Sequence, residues 1–131
     1  MNDLVTEWID KAESDYRTAE REARVRRGPS YDIACFHAQQ CAEKYLKALL
    51  IHHQIPFRPI HDLEVLLELA LPINSDLEHI RDPLLLLNDY AVDIRYPGES
   101  ATKEEAQDAV RAMRIVRDQI RQQIGALGLP S

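Results

Sequence analysis

Apolar residues recur at three- and four-residue spacing through most of the chain, the mark of helices with one buried face. Leu4, Val5, Trp8, Ile9, Ala12, Tyr16, Ala19 and Ala23 trace such a stripe and predict a first helix from about Asp3 to Val25. Gly28-Pro29 closes it, because glycine accepts a left-handed cap and proline cannot continue a helix. A second helix is predicted from about Tyr31 to His53, with Ser30 or Asp32 as its cap. Ala34, Ala38, Cys41, Ala42, Tyr45, Ala48 and Leu49 share one side of it. Most are small, so a neighbouring helix can come close. The opposite side carries His37, Gln40, Lys44 and Lys47, flanked by Gln39 and Glu43.

Two prolines within Gln54–Ile60 require an extended connector. Asp62 then reads as the N-cap of a short helix built on Leu63, Val65, Leu66, Leu67 and Leu69, and Pro72 ends it. Asn74-Ser75-Asp76 opens another helical stretch with Pro83 inside it. Either that stretch kinks or a new helix starts there with Asp82 as cap, and Leu84 to Leu87 and Tyr90 are core candidates in both cases. Asp93 to Glu99 forms a second irregular connector. Thr102 and Glu105 stand at capping-box spacing before a last helix. Its buried stripe is Ala106, Ala109, Val110, Met113, Val116, Ile120 and Ile124, and Gly125 and Gly128 let its end fray. No repeat, low-complexity tract or linker divides the chain. The expectation is one all-α domain over residues 1–131, an up-and-down bundle of four to five helices.

Composition changes this picture little. With 131 residues the chain can bury enough surface to fold without a metal or a disulfide, and no cofactor is expected. Cys35 and Cys41 lie six residues apart on one helix, about 9 Å of rise, with side chains about 120° apart. A disulfide between them is sterically excluded, their spacing fits no zinc site, and two buried thiols are the simpler reading. A net charge of −6 argues against a general binder of duplex nucleic acid, while allowing a local basic patch. There is no apolar run of transmembrane length and no signal-peptide pattern at Met1-Asn2-Asp3-Leu4, so a cytoplasmic location is the default.

Several constellations carry candidate chemistry. The stripe His37, Gln40, Lys44, Lys47 offers cation, donor and acceptor in one line, fit to grip a phosphate, a nucleotide or a partner's carboxylate. The alternative is a solvated face laced by pairs such as Glu43–Lys47, although Ile33 and Phe36 on or near it favour a subunit interface. His61-Asp62 reads as a general-base pair or, more simply, as a helix cap beside a packed imidazole. Arg95-Tyr96-Pro97 reads either as a bidentate anion grip or as a loop anchored by Tyr96 with Arg95 in a salt bridge. Arg17, Arg21 and Arg24, extended by Arg26 and Arg27, line one helix, and Arg111, Arg114 and Arg121 line the last. Interleaved Glu13, Glu20, Glu22 and Asp118 make these ordinary solvated faces unless the two adjoin, in which case a basic groove results.

The run from Ala34 to Ala48, followed by His61-Asp62-Leu63 and then Arg95-Tyr96-Pro97, resembles the HEPN family over about the whole chain. The first resembles that family's signature helix, and the other two its later landmarks. The resemblance implies a helical bundle that often forms homodimers and a partner, a minimal nucleotidyltransferase encoded next door. A similar bundle fused to the kanamycin nucleotidyltransferase catalytic domain helps bind the nucleotide or its acceptor. It implies partner- or nucleotide-binding roles for His37, Gln40, Glu43, Lys44, Lys47, His61, Arg95 and Tyr96, in a module of the toxin–antitoxin type. Another branch of the family consists of metal-independent RNases that carry Arg, four to six residues, then His on one helix. None of the five histidines here has an arginine five to seven positions before it, and no histidine follows Arg95. Nor does the nucleotidyltransferase motif, Gly-Ser followed by spaced aspartates, occur. The reading is therefore a binding module rather than an enzyme, with a degenerate RNase and a purely structural dimerisation module as alternatives.

Overall fold

A computed structural model describes residues 2–91 and 97–125. Their elements are α1 (Asp3–Arg24), α2 (Tyr31–His52), α3 (Leu63–Ala70), a 3₁₀ helix (Ser75–Ile80), α4 (Arg81–Asn88) and α5 (Lys103–Gly125). No strand occurs among the described residues, and the all-α bundle is the fold that forms. The second helix is its axis: α2 packs against α1, α3, α4 and α5. Small residues at Ala34, Ala38, Cys41, Ala42 and Ala48, all buried, let the long neighbours α1 and α5 lie close against it.

Each helix meets the core through its apolar stripe. All seven predicted positions of α5 are buried. In α1, Val5, Ile9, Ala12 and Ala19 are buried, Trp8, Tyr16 and Ala23 lie half-buried, and Leu4 is 48% exposed at the helix start. Leu63, Leu66, Leu67 and Ala70 seat α3, each leucine contributing about 1.5–3 kcal/mol by burial. Only one face of the short α4 meets the core, so Leu84 and Leu87 are buried whereas Leu85 and Leu86 face outward, against the expectation for the whole run.

The helix ends explain several boundaries. Asn2 Oδ1 accepts from the N–H groups of Leu4 and Val5 at 2.7 and 3.2 Å, capping α1. The far end of α1 stops at Val25 in an extended conformation, so Gly28 (φ 63°) shapes the following turn and is not the cap. Ser30 occupies the cap position of α2 without a side-chain capping bond. Asp32 does not cap α2 either; its Oδ1 accepts from Ala101 N–H at 2.7 Å and ties the start of α2 to the approach of α5. Asp62 caps α3 as expected and also accepts from Asn88 Nδ2, while Asn88 Oδ1 takes Leu63 N–H. Pro83 falls in the first turn of α4, where its missing N–H has no helical partner to lose, and α4 begins at Arg81, leaving Asp82 inside the first turn. Thr102 and Glu105 form the reciprocal capping box at 3.1 and 3.0 Å. Both cysteines are buried and neither forms a disulfide. Among the described residues no helix is long and apolar enough to cross a membrane.

Candidate functional site

Nearly the whole circumference of α2 is enclosed, so the polar stripe cannot behave as a solvated face. Gln39, Glu43 and Lys47 are buried, and His37, Gln40 and Lys44 are half-buried. Burial of so many polar groups is tolerated only when each finds a partner. Among the described residues every buried side-chain nitrogen and oxygen has one. The partners fall into three clusters, each built around one carboxylate.

The first is Glu43. Its carboxylate accepts from Gln39 Nε2 at 3.0 Å, from Lys47 Nζ at 2.9 Å, and from His61 Nδ1, which lies 3.0 Å from both oxygens. The Glu43–Lys47 pair expected from i,i+4 spacing is therefore present, but as a buried pair rather than a surface one. The Lys47 ammonium lies 5.8 Å from the ring centroids of both Trp8 and Phe57, held by two aromatic faces as well as by its carboxylate. Gln40 Nε2 donates to Gln39 Oε1 at 2.6 Å and extends the network outward. Burial pushes the Glu43 carboxyl up, but the hydrogen bonds from Gln39, Lys47 and His61 outweigh it and hold the group below its ordinary range. His61 takes its carboxylate from Glu43, not from the adjacent Asp62, whose oxygen serves the N-terminus of α3. The sequence pair His61-Asp62 is thus a cap beside an imidazole that pairs elsewhere.

The second cluster is Asp15, a buried aspartate of α1. It accepts from His37 Nδ1 at 2.7 Å and from Lys44 Nζ at 2.5 Å. Because a carboxylate only accepts, both His37 and His61 carry a proton on Nδ1, and each Nε2 is set by that bond to face away from its carboxylate. Among the described residues neither Nε2 has a hydrogen-bond partner. His61 keeps 65% of its side chain exposed and His37 30%. Two imidazoles are thus held by buried anions; Phe36 packs edge-on against His37, and Ile33, one turn before His37 on α2, is exposed.

The third cluster joins α1, α2 and α5. Glu13 takes a bidentate bond from Arg117 at 2.7 Å to each oxygen and a 2.6 Å bond from the Tyr45 hydroxyl, which in turn accepts from Arg121. Burial raises the Glu13 carboxyl, and the Arg117 and Tyr45 hydrogen bonds bring it below the ordinary value. Burial and Glu13 together push the Tyr45 hydroxyl well up. Arg117 also lies 4.3 Å over the Tyr16 ring.

Of the residues picked from the sequence, the fold unites Gln40, Glu43, Lys47 and His61 in one network and places His37 with Lys44 in another. Arg95 and Tyr96 lie outside the described residues. Sequence reasoning missed Asp15, Gln39, Trp8 and Phe57 as members of the site. Asp15 had a signal: it stands three residues after Ala12 and four before Ala19, in phase with the buried stripe of α1. Among the described residues no group of three or more His, Cys, Asp or Glu is arranged to hold a metal ion.

Comparison with known proteins agrees with this architecture. A crystallised archaeal HEPN homologue, ST0689, superposes with a TM-score of 0.72 and 27% identity over 92% of this chain and 97% of its own. The crystal structure of TT1696 from Thermus thermophilus gives 0.73 at 23% identity over 92% and 98%, a likeness of fold. No curated protein matches. The family model of the HEPN domain matches residues 5–123, and this chain belongs to the HEPN domain family.

Proposed function

We propose that this HEPN domain is a binding module that pairs as a homodimer with a separate minimal nucleotidyltransferase, in a pair of the toxin–antitoxin type, through the face bearing His37, Gln40 and His61. The observation that carries this is the fixed outward aim of the two imidazoles. Lys44 and Lys47 are engaged by Asp15 and Glu43, so they are poor grips for a nucleotide phosphate at this face. What the surface offers instead is Nε2 of His37, with Phe36 against its ring and Ile33 exposed one turn before it, and Nε2 of the exposed His61. Oriented polar atoms among apolar surface suit a protein interface. The chain and the nucleotidyltransferase encoded beside it should coelute in size exclusion with light scattering at micromolar concentration, the chain alone at twice its mass. His37→Ala with His61→Ala should weaken coelution without unfolding the chain. Separate elution of the wild-type proteins overturns the pairing.

The two carboxylate-held imidazoles also favour a second reading, a metal-independent RNase with a degenerate site. RNA cleavage by general acid–base catalysis needs two groups that hold and release a proton near the 2′-hydroxyl, and an imidazole oriented by a carboxylate serves in either role. Loss of cellular RNA on induction, abolished by His37→Ala or His61→Ala, would favour this reading over the first. Intact RNA sinks it.

A further inference from the structure

The two long sides of α5 differ in character. Toward α1 it presents arginines, and Arg114 donates a bidentate bond to Glu20 of α1 at 2.9 and 2.5 Å, so the arginine faces of the two helices adjoin. Toward α4 it presents an apolar step. The two helices run antiparallel: Asn74, ahead of α4, donates to Gln123 at 3.3 Å, and Tyr90, just beyond α4, donates to Glu105 at 3.4 Å. Between them lies a groove of about 290 Å³. Pro83 and Leu86 of α4 and Ala112 and Ile115 of α5 supply its apolar walls, and Asp82 and Asp108 line it as well.

Water is a poor occupant for these walls. Ile115 is 50% exposed and Leu86 40%. Apart from Gly125, every other exposed residue of α5 is polar. Single exposed apolar side chains are ordinary, but here two from different helices line one groove. The charge around it is negative. Asp82 has no cation within ion-pair distance among the described residues, and Arg111 is already taken by Asp108. Asp89 at the C-cap of α4 and Glu104 and Glu105 in the first turn of α5 add carboxylates at the end where the Tyr90–Glu105 bond joins the two helices. Lys103 lines a separate cavity with Arg24, on the α1 side. An apolar groove edged by carboxylates is complementary to an apolar anchor flanked by cations. It does not suit a second copy of the chain. The eight residues of α4 make a strip about 12 Å long, far short of the about 800 Å² that each partner of a stable dimer buries. A two-fold contact would also set the same carboxylates against each other. One amphipathic helix fits better, because two apolar side chains a turn apart can lie in the furrow between two helices.

We infer that the α4–α5 groove docks a partner helix that carries two apolar side chains one turn apart with lysine or arginine beyond them. The groove shares no residue with the face proposed for nucleotidyltransferase pairing. Fluorescence anisotropy on the full chain tests it with two labelled synthetic helices of about 15 residues. Both carry leucines at i and i+4; lysines flank them in one peptide and glutamates in the other. The lysine peptide should bind about tenfold more tightly than the glutamate peptide in low salt, and the gap should narrow as salt rises. Leu86→Ser with Ile115→Ser should weaken binding of the lysine peptide about tenfold with an unchanged melting temperature, since both side chains are exposed. Asp82→Asn should narrow the gap between the two peptides. His37→Ala with His61→Ala should leave both affinities as they were, so loss of nucleotidyltransferase pairing and loss of this docking are read separately. No binding of the lysine peptide at millimolar concentration overturns the inference, as does equal binding of the two peptides or equal binding by the Leu86→Ser, Ile115→Ser variant. A homodimer abolished by that same variant assigns the groove to a second copy and overturns it too.

Discussion

The α2 network and the outer surface of α1 and α5 are built from the same kinds of residue and put them to opposite ends. In the network each cation lies against a buried carboxylate: Lys44 on Asp15, Lys47 on Glu43. On that outer surface Arg17, Arg26 and Lys103 are exposed, with no carboxylate within ion-pair distance among the described residues. The difference is set by depth. Enclosed over most of its circumference, α2 cannot leave a buried charge unpaired without a desolvation cost, so its buried polar residues are locked in place by their neighbours. At the exposed surface water solvates an unpaired charge, so leaving it without a partner costs little. A lysine's identity therefore says little about its role until its surroundings are known.

The comparison is broken most directly at its buried side. Glu43→Ala leaves Lys47 charged and unpaired between Trp8 and Phe57, and should cost ~3–5 kcal/mol in urea unfolding. Glu43→Leu with Lys47→Met removes both charges and should recover most of that loss; a double variant no more stable than Glu43→Ala would show that the pair is not its source.

Acid tests the same feature more gently. Glu43 and Glu13 titrate below their ordinary 4.5 in the folded chain, so their stabilisation is complete above that value and is lost as pH falls through the folded values. Urea midpoints should hold from neutrality to about pH 5 and drop below it, and Glu43→Gln should flatten that drop. A midpoint insensitive to acid would contradict the pairing. Tyr45→Phe removes a hydroxyl that donates to Glu13 and accepts from Arg121, and should cost ~1–3 kcal/mol with the helical spectrum unchanged. The smallest effect belongs to the exposed cations: Arg17→Ala, Arg26→Ala and Lys103→Ala should each shift stability by no more than about 0.5 kcal/mol. A large loss in any of them would mean that the fold uses the charge after all.

Much of the fold was legible in the residues because periodicity and caps are local. Asn74, Asp62 and the Thr102–Glu105 box mark helix starts that the structure places within a residue, and the buried stripe of α5 is correct at every position. The site was legible only in part. Glu43 and Lys47 were singled out, but as a surface, because a polar residue on a helix looks the same whether water or another helix faces it. Only the packing of α1, α3 and the Gln54–Ile60 connector around α2 turns that surface inward. His61 shows the same limit: its sequence neighbour Asp62 is the obvious partner, yet its carboxylate comes from eighteen positions away. The adjacency of the two arginine faces depends on which helices pack side by side, which no local pattern encodes.

The buried thiols of Cys35 and Cys41 turn the bundle into its own clock. Both lie at 0% exposure along the axial helix, and burial drives the Cys41 thiol upward, away from the reactive thiolate. A thiol reagent can reach them only when a neighbouring helix lifts away from α2. The rate of labelling under native conditions thus counts how often the bundle opens, and any partner that clamps the helices together will slow it.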